Sequence, residues 1–160
     1  MKKLIFVIIL ILIANSVLAT TFLDYKDKIN ITDKRYLRVD WYNSAIKGNA
    51  TQLKGASVEQ TIWNTYNFQQ EIHWKFYNER RGPDVTLRTM EGDCTDISEL
   101  GILLLRINGV YAKQVHGYYI PRMEKHDWME ILYPENNTVH WRTIDYINEE
   151  DLLKIGDGIW

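Results

Sequence analysis

The spacing of apolar residues between positions 57 and 109 is that of helices. The first predicted helix begins at Ser57, because Ser57 and Gln60 have the spacing of a capping box. Its apolar positions continue as far as Phe76, and Arg81-Gly82-Pro83 stops it. A weaker pattern predicts another helix over Thr32 to Ile46 that ends at Gly48.

The second predicted helix lies in the segment GDCTDISELGILLLRING, residues 92–109. Its stripe consists of Ile97, Leu100, Leu103, Leu104 and Ile107, and Asn108-Gly109 is typical of a C-terminal stop. Asp96 and Glu99 come early, where carboxylates suit the positive end of the helix dipole. Cys94 therefore falls at or just before the first turn.

After Gly109 the apolar positions alternate, which predicts strands. The expected strands are Tyr111–Ile120, His126–Tyr133 and Val139–Tyr146, joined by turns that contain Pro121 and Pro134. A short terminal helix is expected to begin at Asn148-Glu149-Glu150-Asp151. Helices followed by an antiparallel meander indicate the α+β class.

The first 19 residues have the pattern of a secretory signal peptide. Lys2 and Lys3 precede an unbroken apolar run from Leu4 to Ala14, and small residues lead to a cleavage site at Ala19. Because the run is shorter than a comfortable membrane span, cleavage is favoured, with an uncleaved anchor as the alternative. The predicted organisation is a signal peptide over 1–19, an N-terminal extension over 20–56 and one domain over 57–160.

The hydrophobic content and net charge of the chain limit the kinds of binding partner that are expected. The 160 residues are 46% hydrophobic and have a formal charge of −2, which fits one globular domain and argues against nucleic acid as a partner. Contact with a membrane is expected only through an uncleaved N-terminal segment. Cys94 is the only cysteine, so no internal disulfide can form in a chain that begins like an exported one.

A single thiol in this position suggests a nucleophile. Free cysteine has a pKa near 8.5, and a helix N-terminus or a nearby imidazolium lowers it. His126 opens the second predicted strand, and Asp145 lies where a cross-strand neighbour of His126 could sit. The alternative is a buried Cys94, a surface His126 and a solvated Asp145. A metal site is disfavoured, because His126 and Glu130 have no second pair of ligands.

Six short segments, in order, resemble the transglutaminase-like superfamily. The similarity covers residues 57–147. Three of the segments lie in the region of the nucleophile helix: Gly92–Asp96, Leu103–Arg106 and Gly109–Ala112. The others are Val115–Gly117, His126–Glu130 and Trp141–Asp145. One departure is Tyr146, since the family's acidic residue is commonly followed by proline.

The resemblance implies a papain-like α+β fold with the cysteine at a helix N-terminus packed against an antiparallel sheet. It also implies that Cys94 is the nucleophile, His126 the general base and acid, and Asp145 the orienting carboxylate. The family fold needs no obligatory cofactor, and no acidic loop here has calcium-ligand spacing. The second oxyanion donor stays open among Trp63, Asn64 and Gln69.

The expected function is that of a secreted or cell-envelope thiol enzyme that opens a peptide or isopeptide amide through an acyl-enzyme. Water as the second nucleophile makes it a peptidase or amidase, which is favoured in so small a domain, whereas a lysine amine makes it a cross-linking acyltransferase. A peptide of the cell envelope is an attractive substrate. The alternative is a catalytically inactive module of the same fold that binds peptide or glycan.

Overall fold

A computed structural model describes Tyr25 and residues 34–39, 43–135, 138–147, 150 and 152–157. Within residues 34–157 as described, four α-helices and six strands follow one another. After a short 3-10 helix at Lys34–Leu37, the elements are α1 (Ser44–Leu53), α2 (Val58–Gln70), β1 (His73–Trp74), α3 (Pro83–Thr89), β2 (Glu91–Gly92), α4 (Cys94–Ile107), β3 (Ala112–Tyr119), β4 (Glu124–Glu135), β5 (Thr138–Ile144) and β6 (Leu152–Asp157). The α+β class is confirmed.

Local capping explains where the early helices begin. Asn43 Oδ1 accepts the N–H of Ile46 at 2.8 Å and starts α1, so the predicted helix over Thr32–Ile46 is wrong in its bounds and Gly48 lies inside α1. Ser57 Oγ accepts the N–H of Gln60 at 3.2 Å, which confirms the predicted start of α2. Gln60 Oε1 in turn accepts the N–H of Ala56 at 3.0 Å.

The region between α2 and α4 differs from the sequence prediction. Helix α2 ends at Gln70, and His73–Trp74 forms a two-residue parallel ladder with Glu91–Gly92 instead of extending the helix. Pro83 stands in the first turn of α3, a helix that the sequence reading missed. Proline suits that position because its missing N–H has no intrahelical acceptor there.

The main sheet is antiparallel, with the order β5-β4-β3-β6. The three predicted strands are confirmed with small shifts of their ends. Strand β6 is an addition: residues 152–157 pair with β3, so the terminal segment that was expected to be helical is a strand where the structure describes it.

Helix α4 is the centre of the core and is buried on both sides. Towards the sheet, Ile102 and Leu105 pack with Met129 and Ile131. Towards the other helices, α4 contributes the buried side chains of Leu100, Leu103 and Leu104. These pack against residues that include Ile46 of α1. The helix ends at Ile107, and Gly109, at a φ of 82°, adopts the left-handed conformation predicted for the stop.

Described parts of the predicted N-terminal extension contribute to this core. Tyr25 is fully buried, and its hydroxyl donates to the carbonyl of Leu132 at 2.8 Å and accepts the N–H of Tyr111 at 3.0 Å. Asn108 donates to the carbonyl of Ala50 at 2.7 Å. The predicted leader, residues 1–19, lies outside the described residues. Within the described ranges, no helix is both long and apolar enough to cross a membrane.

Candidate active site

Cys94 is the first residue of α4, and the preceding Asp93 caps the helix. The Asp93 carboxylate accepts the N–H of Asp96 at 3.1 Å, which fixes the first turn. Burial raises the pKa of Asp93, although the N–H of Asp96 opposes that effect. The backbone N–H of Cys94 has no intrahelical acceptor at this position, so it can donate to a bound group.

His126 joins the two other residues predicted for the site. Its Nε2 lies 2.5 Å from Asp145 Oδ2, and its ring is also hydrogen-bonded to Cys94. Since Asp145 occupies Nε2, the nitrogen that faces the sulfur is Nδ1. The three side chains predicted from sequence are therefore adjacent, and Cys94 is partly exposed rather than sealed in the core.

The register of the sheet explains how Asp145 reaches the imidazole. Strand β5 ends at Ile144, which pairs with Met129 of β4, so Asp145 lies just beyond the ladder. Its side chain is only 5% exposed. The backbone N–H of Tyr146 donates to the other carboxylate oxygen, Oδ1, at 2.7 Å. A proline at position 146 could not supply this donor, so the departure from the family pattern adds a hydrogen bond to the site.

The site keeps His126 protonated at neutral pH. Burial lowers the pKa of His126, but hydrogen bonding and electrostatic interaction with Asp145 and Cys94 raise it more, to about 9 instead of 6.5. A protonated ring has two N–H donors, one for the carboxylate and one for the sulfur. An imidazolium beside the sulfur stabilises a thiolate, which is the nucleophilic form of cysteine.

Two aromatic rings enclose the imidazole. The ring of Trp128 is stacked on it with centroids 6.1 Å apart, and the ring of Tyr146 meets it edge-on at 5.8 Å. Burial, together with electrostatic interaction with Asp145 and Cys94, raises the pKa of Tyr146 to about 12, so its phenol stays neutral. The imidazole is thereby limited to one orientation on β4.

A second polar cluster links the nucleophile helix to the strand that carries His126. Asp127 Oδ2 accepts the hydroxyl of Thr95 at 2.7 Å and the amide of Gln114 at 3.2 Å, while Oδ1 lies 2.7 Å from His116 Nδ1. Thr95 follows Cys94 and Asp127 follows His126 in the chain. The hydrogen bond between Thr95 and Asp127 thus links the residue that follows Cys94 to the residue that follows His126. The sequence analysis did not predict this role of Asp127. Strand alternation indicates only that the side chains of Asp127 and His126 point to opposite faces of the sheet.

Two carboxylates of α4 hold the loop in front of α3 instead of serving the helix dipole alone. Asp96 Oδ1 accepts the N–H groups of Arg81 at 3.0 Å and of Gly82 at 3.3 Å. Glu99 is 4% exposed and pairs with Arg80. Burial raises the pKa of Glu99, with Arg80 acting in the opposite direction.

The three candidates for a second oxyanion donor differ in their surroundings. The side-chain amide of Asn64 donates to the carbonyl of Leu53 at 3.0 Å, and that of Gln69 donates to the carbonyl of Ile97 at 2.9 Å. Both amides are therefore engaged with backbone groups, and Trp63 lines a separate cavity. The small cavity beside Cys94 is lined by Gln69 and also by Tyr66 and Gln70, two polar residues that the sequence analysis did not single out.

A wide cleft of about 1190 Å³ opens at Cys94 and His126. Its lining includes three exposed aromatic side chains, those of Trp74, Phe76 and Tyr146. Among the described residues, no group of three or more His, Cys, Asp or Glu side chains is arranged to hold a metal ion.

Solved structures share this fold. A candidate cysteine protease from Cytophaga hutchinsonii superposes with a TM-score of 0.68 at 18% identity, covering 88% of this chain and 50% of that one. The periplasmic domain of TgpA from Pseudomonas aeruginosa gives 0.58 at 21% identity, covering 72% and 48%. Calcium-bound LapG from Legionella pneumophila gives 0.56 at 14% identity, covering 74% and 81%. This chain therefore has the same fold as these proteins.

The family follows from the sequence match. The family model described as the transglutaminase-like superfamily matches residues 35–146, so the chain belongs to that superfamily. A comparison with curated proteins gives no match. This chain spans about half the length of the Cytophaga and Pseudomonas chains. At these identities the likeness to the solved structures is one of fold.

Proposed function

We propose that the protein is a thiol enzyme that hydrolyses peptide or isopeptide amide bonds, with Cys94 as nucleophile, His126 as general acid and base, and Asp145 as the orienting carboxylate. One observation carries this proposal: His126 is hydrogen-bonded on one side to Asp145 and on the other to a cysteine at a helix N-terminus. A nucleophile, a base and an orienting group in contact are the geometry of covalent amide chemistry.

The proposed reaction has two halves. The Cys94 thiolate attacks the amide carbon, the C–N bond breaks, and Nδ1–H of His126 gives its proton to the leaving amine, which leaves a thioester. Neutral His126 then takes a proton from water as the water oxygen attacks the thioester. The C–S bond breaks, and the carboxylic acid product leaves behind a thiolate and an imidazolium.

The N-terminus of α4 supports the charged intermediate in this scheme. The N–H of Cys94 and the positive end of the helix dipole favour negative charge on the carbonyl oxygen. Tyr66, Gln69 and Gln70 are candidates among the described residues for a second donor, since all three line the small cavity with Cys94.

Export to the cell envelope or beyond is part of the proposal. The N-terminal pattern predicts a signal peptide, and one structural neighbour is a periplasmic domain. A peptide of that compartment is the proposed substrate.

The choice between hydrolysis and acyl transfer is testable with one incubation. The protein is mixed with glutamine- and lysine-containing peptides and an excess of a primary amine probe, and all products are identified by mass spectrometry. We expect cleaved peptides, or deamidated peptides with released ammonia, in which the newly formed carboxylate carries ¹⁸O from labelled water, with no stable probe adduct. Probe incorporation as the main product would assign the protein to acyl transfer, and absence of both products would favour the binding module.

A second prediction concerns the cluster at Asp127. Thr95→Val removes the hydroxyl that ties α4 to Asp127 while keeping the shape of the side chain. We expect kcat to fall about tenfold with little change in KM, because small displacements of a nucleophile from its base are costly. Thr95→Ser keeps the hydroxyl and is expected to retain most of the activity. Equal losses in the two variants, measured by steady-state kinetics, would contradict this positioning role.

A further inference from the structure

A second cavity, of about 550 Å³, adjoins the proposed triad on the side away from the wide cleft. It lies between one face of α2 and the strands β4 and β5. The described residues that give it an apolar character are Ile62, Trp63, Tyr66, Ile131 and Ile144, and Asp145 also contributes to its lining. This volume is within the range of small-ligand sites.

The cavity borders the place where chemistry is proposed. The small cavity beside Cys94 shares Tyr66, Ile144 and Asp145 with it. That small cavity in turn shares Cys94 and Tyr146, among others, with the wide cleft. The three spaces therefore adjoin one another along shared walls, and together they are called the groove.

Trp63 identifies the apolar part of the groove as a surface for a ligand. Its side chain is 62% exposed, although burying a tryptophan is strongly favourable in water. Its ring meets that of Tyr66 edge-on with centroids 5.8 Å apart, and the pair stands beside Ile62 and Ile131, which are buried in the core. An apolar group placed here would lose contact with water on several sides.

The lining of this cavity also includes a few polar side chains. Glu59, Tyr133 and Arg142 also line the cavity, and Tyr133 donates to Glu59 Oε1 at 3.4 Å. A peptide has the matching chemistry, because its side chain can be apolar while its backbone is polar. A glycan fits less well, since isoleucine side chains offer no partners for buried hydroxyl groups.

We propose that this cavity is a specificity subsite that takes one large aliphatic or aromatic side chain of a peptide, adjacent to the bond that Cys94 opens. The inference rests on the proposed function and deepens it by naming the substrate class. Trp63 and Tyr66 provide the aromatic wall, and the core isoleucines provide the contact that excludes water.

Peptide pairs test the subsite in the wild-type protein. After one cleaved peptide is identified, each position that flanks the bond is changed in turn to Phe, Leu or Ser. We expect one position at which Phe or Leu gives a kcat/KM at least about tenfold above that of Ser, the size of effect that an apolar pocket supplies. A flat response at every flanking position would overturn the subsite.

Two exposed aromatic residues provide the matched variants. Trp63→Ala is expected to reduce the preference to about threefold or less, whereas Phe76→Ala, which alters the wide cleft, is expected to leave the ratio unchanged. Both side chains are more than half exposed, so neither change removes core packing. Loss of the preference in Phe76→Ala and not in Trp63→Ala would place the subsite in the wide cleft and overturn the inference.

Binding to Cys94→Ser protein separates this inference from the proposed reaction. Fluorescein-labelled peptides with Phe or Ser at the selected position, or at the centre of the peptide if none is cleaved, are titrated and followed by polarisation. Tighter binding of the Phe peptide that depends on Trp63 supports the subsite even if the wild type hydrolyses nothing, in which case only the proposed reaction fails. Equal binding of both peptides, or binding of an oligosaccharide alone, would overturn the subsite.

Discussion

Cys94→Ala is expected to lower kcat/KM for amide hydrolysis by about 10⁴-fold or more, because removal of a covalent nucleophile leaves only binding and oxyanion stabilisation. The chain has no second cysteine that could substitute. Cleavage of the same peptide by wild type and variant, followed by mass spectrometry, measures the loss. Folding is checked by circular dichroism and thermal unfolding, which should change little because Cys94 is partly exposed and outside the core clusters.

Alkylation gives an independent measure of the same group. Iodoacetamide should label Cys94 at pH 6 at least about tenfold faster than it labels a free thiol peptide, since a neighbouring imidazolium favours the thiolate. His126→Ala should abolish most of that difference. Labelling of the wild type at the rate of the free peptide, or full activity in Cys94→Ala, would contradict the role assigned to the sulfur.

The sequence was most informative where local and tertiary preferences agree. Helix α4 was predicted accurately because its cap at Asp93, its apolar content and its stop at Gly109 all favour one helix. The strands that carry His126 and precede Asp145 were found for a similar reason. Their alternation is regular, and Pro121 marks the turn between β3 and β4, whereas Pro134, which was expected in a turn, lies within β4 and pairs with Val139.

Non-local contacts account for the elements that were missed. Residues 73–74 continue a helical pattern, yet they pair with residues 91–92 and therefore leave the helix at Gln70. Strand β6 exists by pairing with β3, and the acidic residues before it gave a stronger local signal for a helix. Pro83 was interpreted only as a breaker, although proline is also favourable in the first turn of a helix.

The distinction between local sequence signals and non-local contacts also applies within the candidate active site. The spacing of His126 and Asp145 was sufficient to suggest a cross-strand pair, because a short hairpin limits the possible neighbours. The contact of Thr95 with Asp127 joins residues 32 positions apart on a helix and a strand, and no spacing rule indicates it. The packing of Tyr25 against Leu132 and Tyr111 is likewise invisible without the fold.

Asp145→Asn is expected to reduce kcat by about 10³- to 10⁴-fold, because an amide neither stabilises the imidazolium nor fixes the required ring tautomer. The pKa of His126 should fall from about 9 towards or below its ordinary value of 6.5, since burial still opposes the charged ring once the carboxylate charge is gone. The ¹H–¹³C signals of the His126 ring, followed by NMR against pH, measure this change. Glu124→Gln is the matched control, because the carboxylate of Glu124 is exposed and lies on β4, the strand that carries His126.

The raised pKa of His126 also has a consequence for stability, and its sign is opposite to that of an acid with a lowered pKa. The folded state binds the proton more tightly than the unfolded state, so the stabilisation is complete below pH 6.5 and is lost as the pH rises to about 9. The rise in pKa corresponds to about 3 kcal/mol at most. In a Cys94→Ser background the thiol no longer titrates and its contribution to the raised pKa of His126 is lost, so the window ends below pH 9. There we expect the free energy of unfolding to fall by about 1–2 kcal/mol as the pH rises from 6.5 in urea titrations. Adding Asp145→Asn should remove the fall, and an unchanged slope in the double variant would show that Asp145 does not hold the proton on His126.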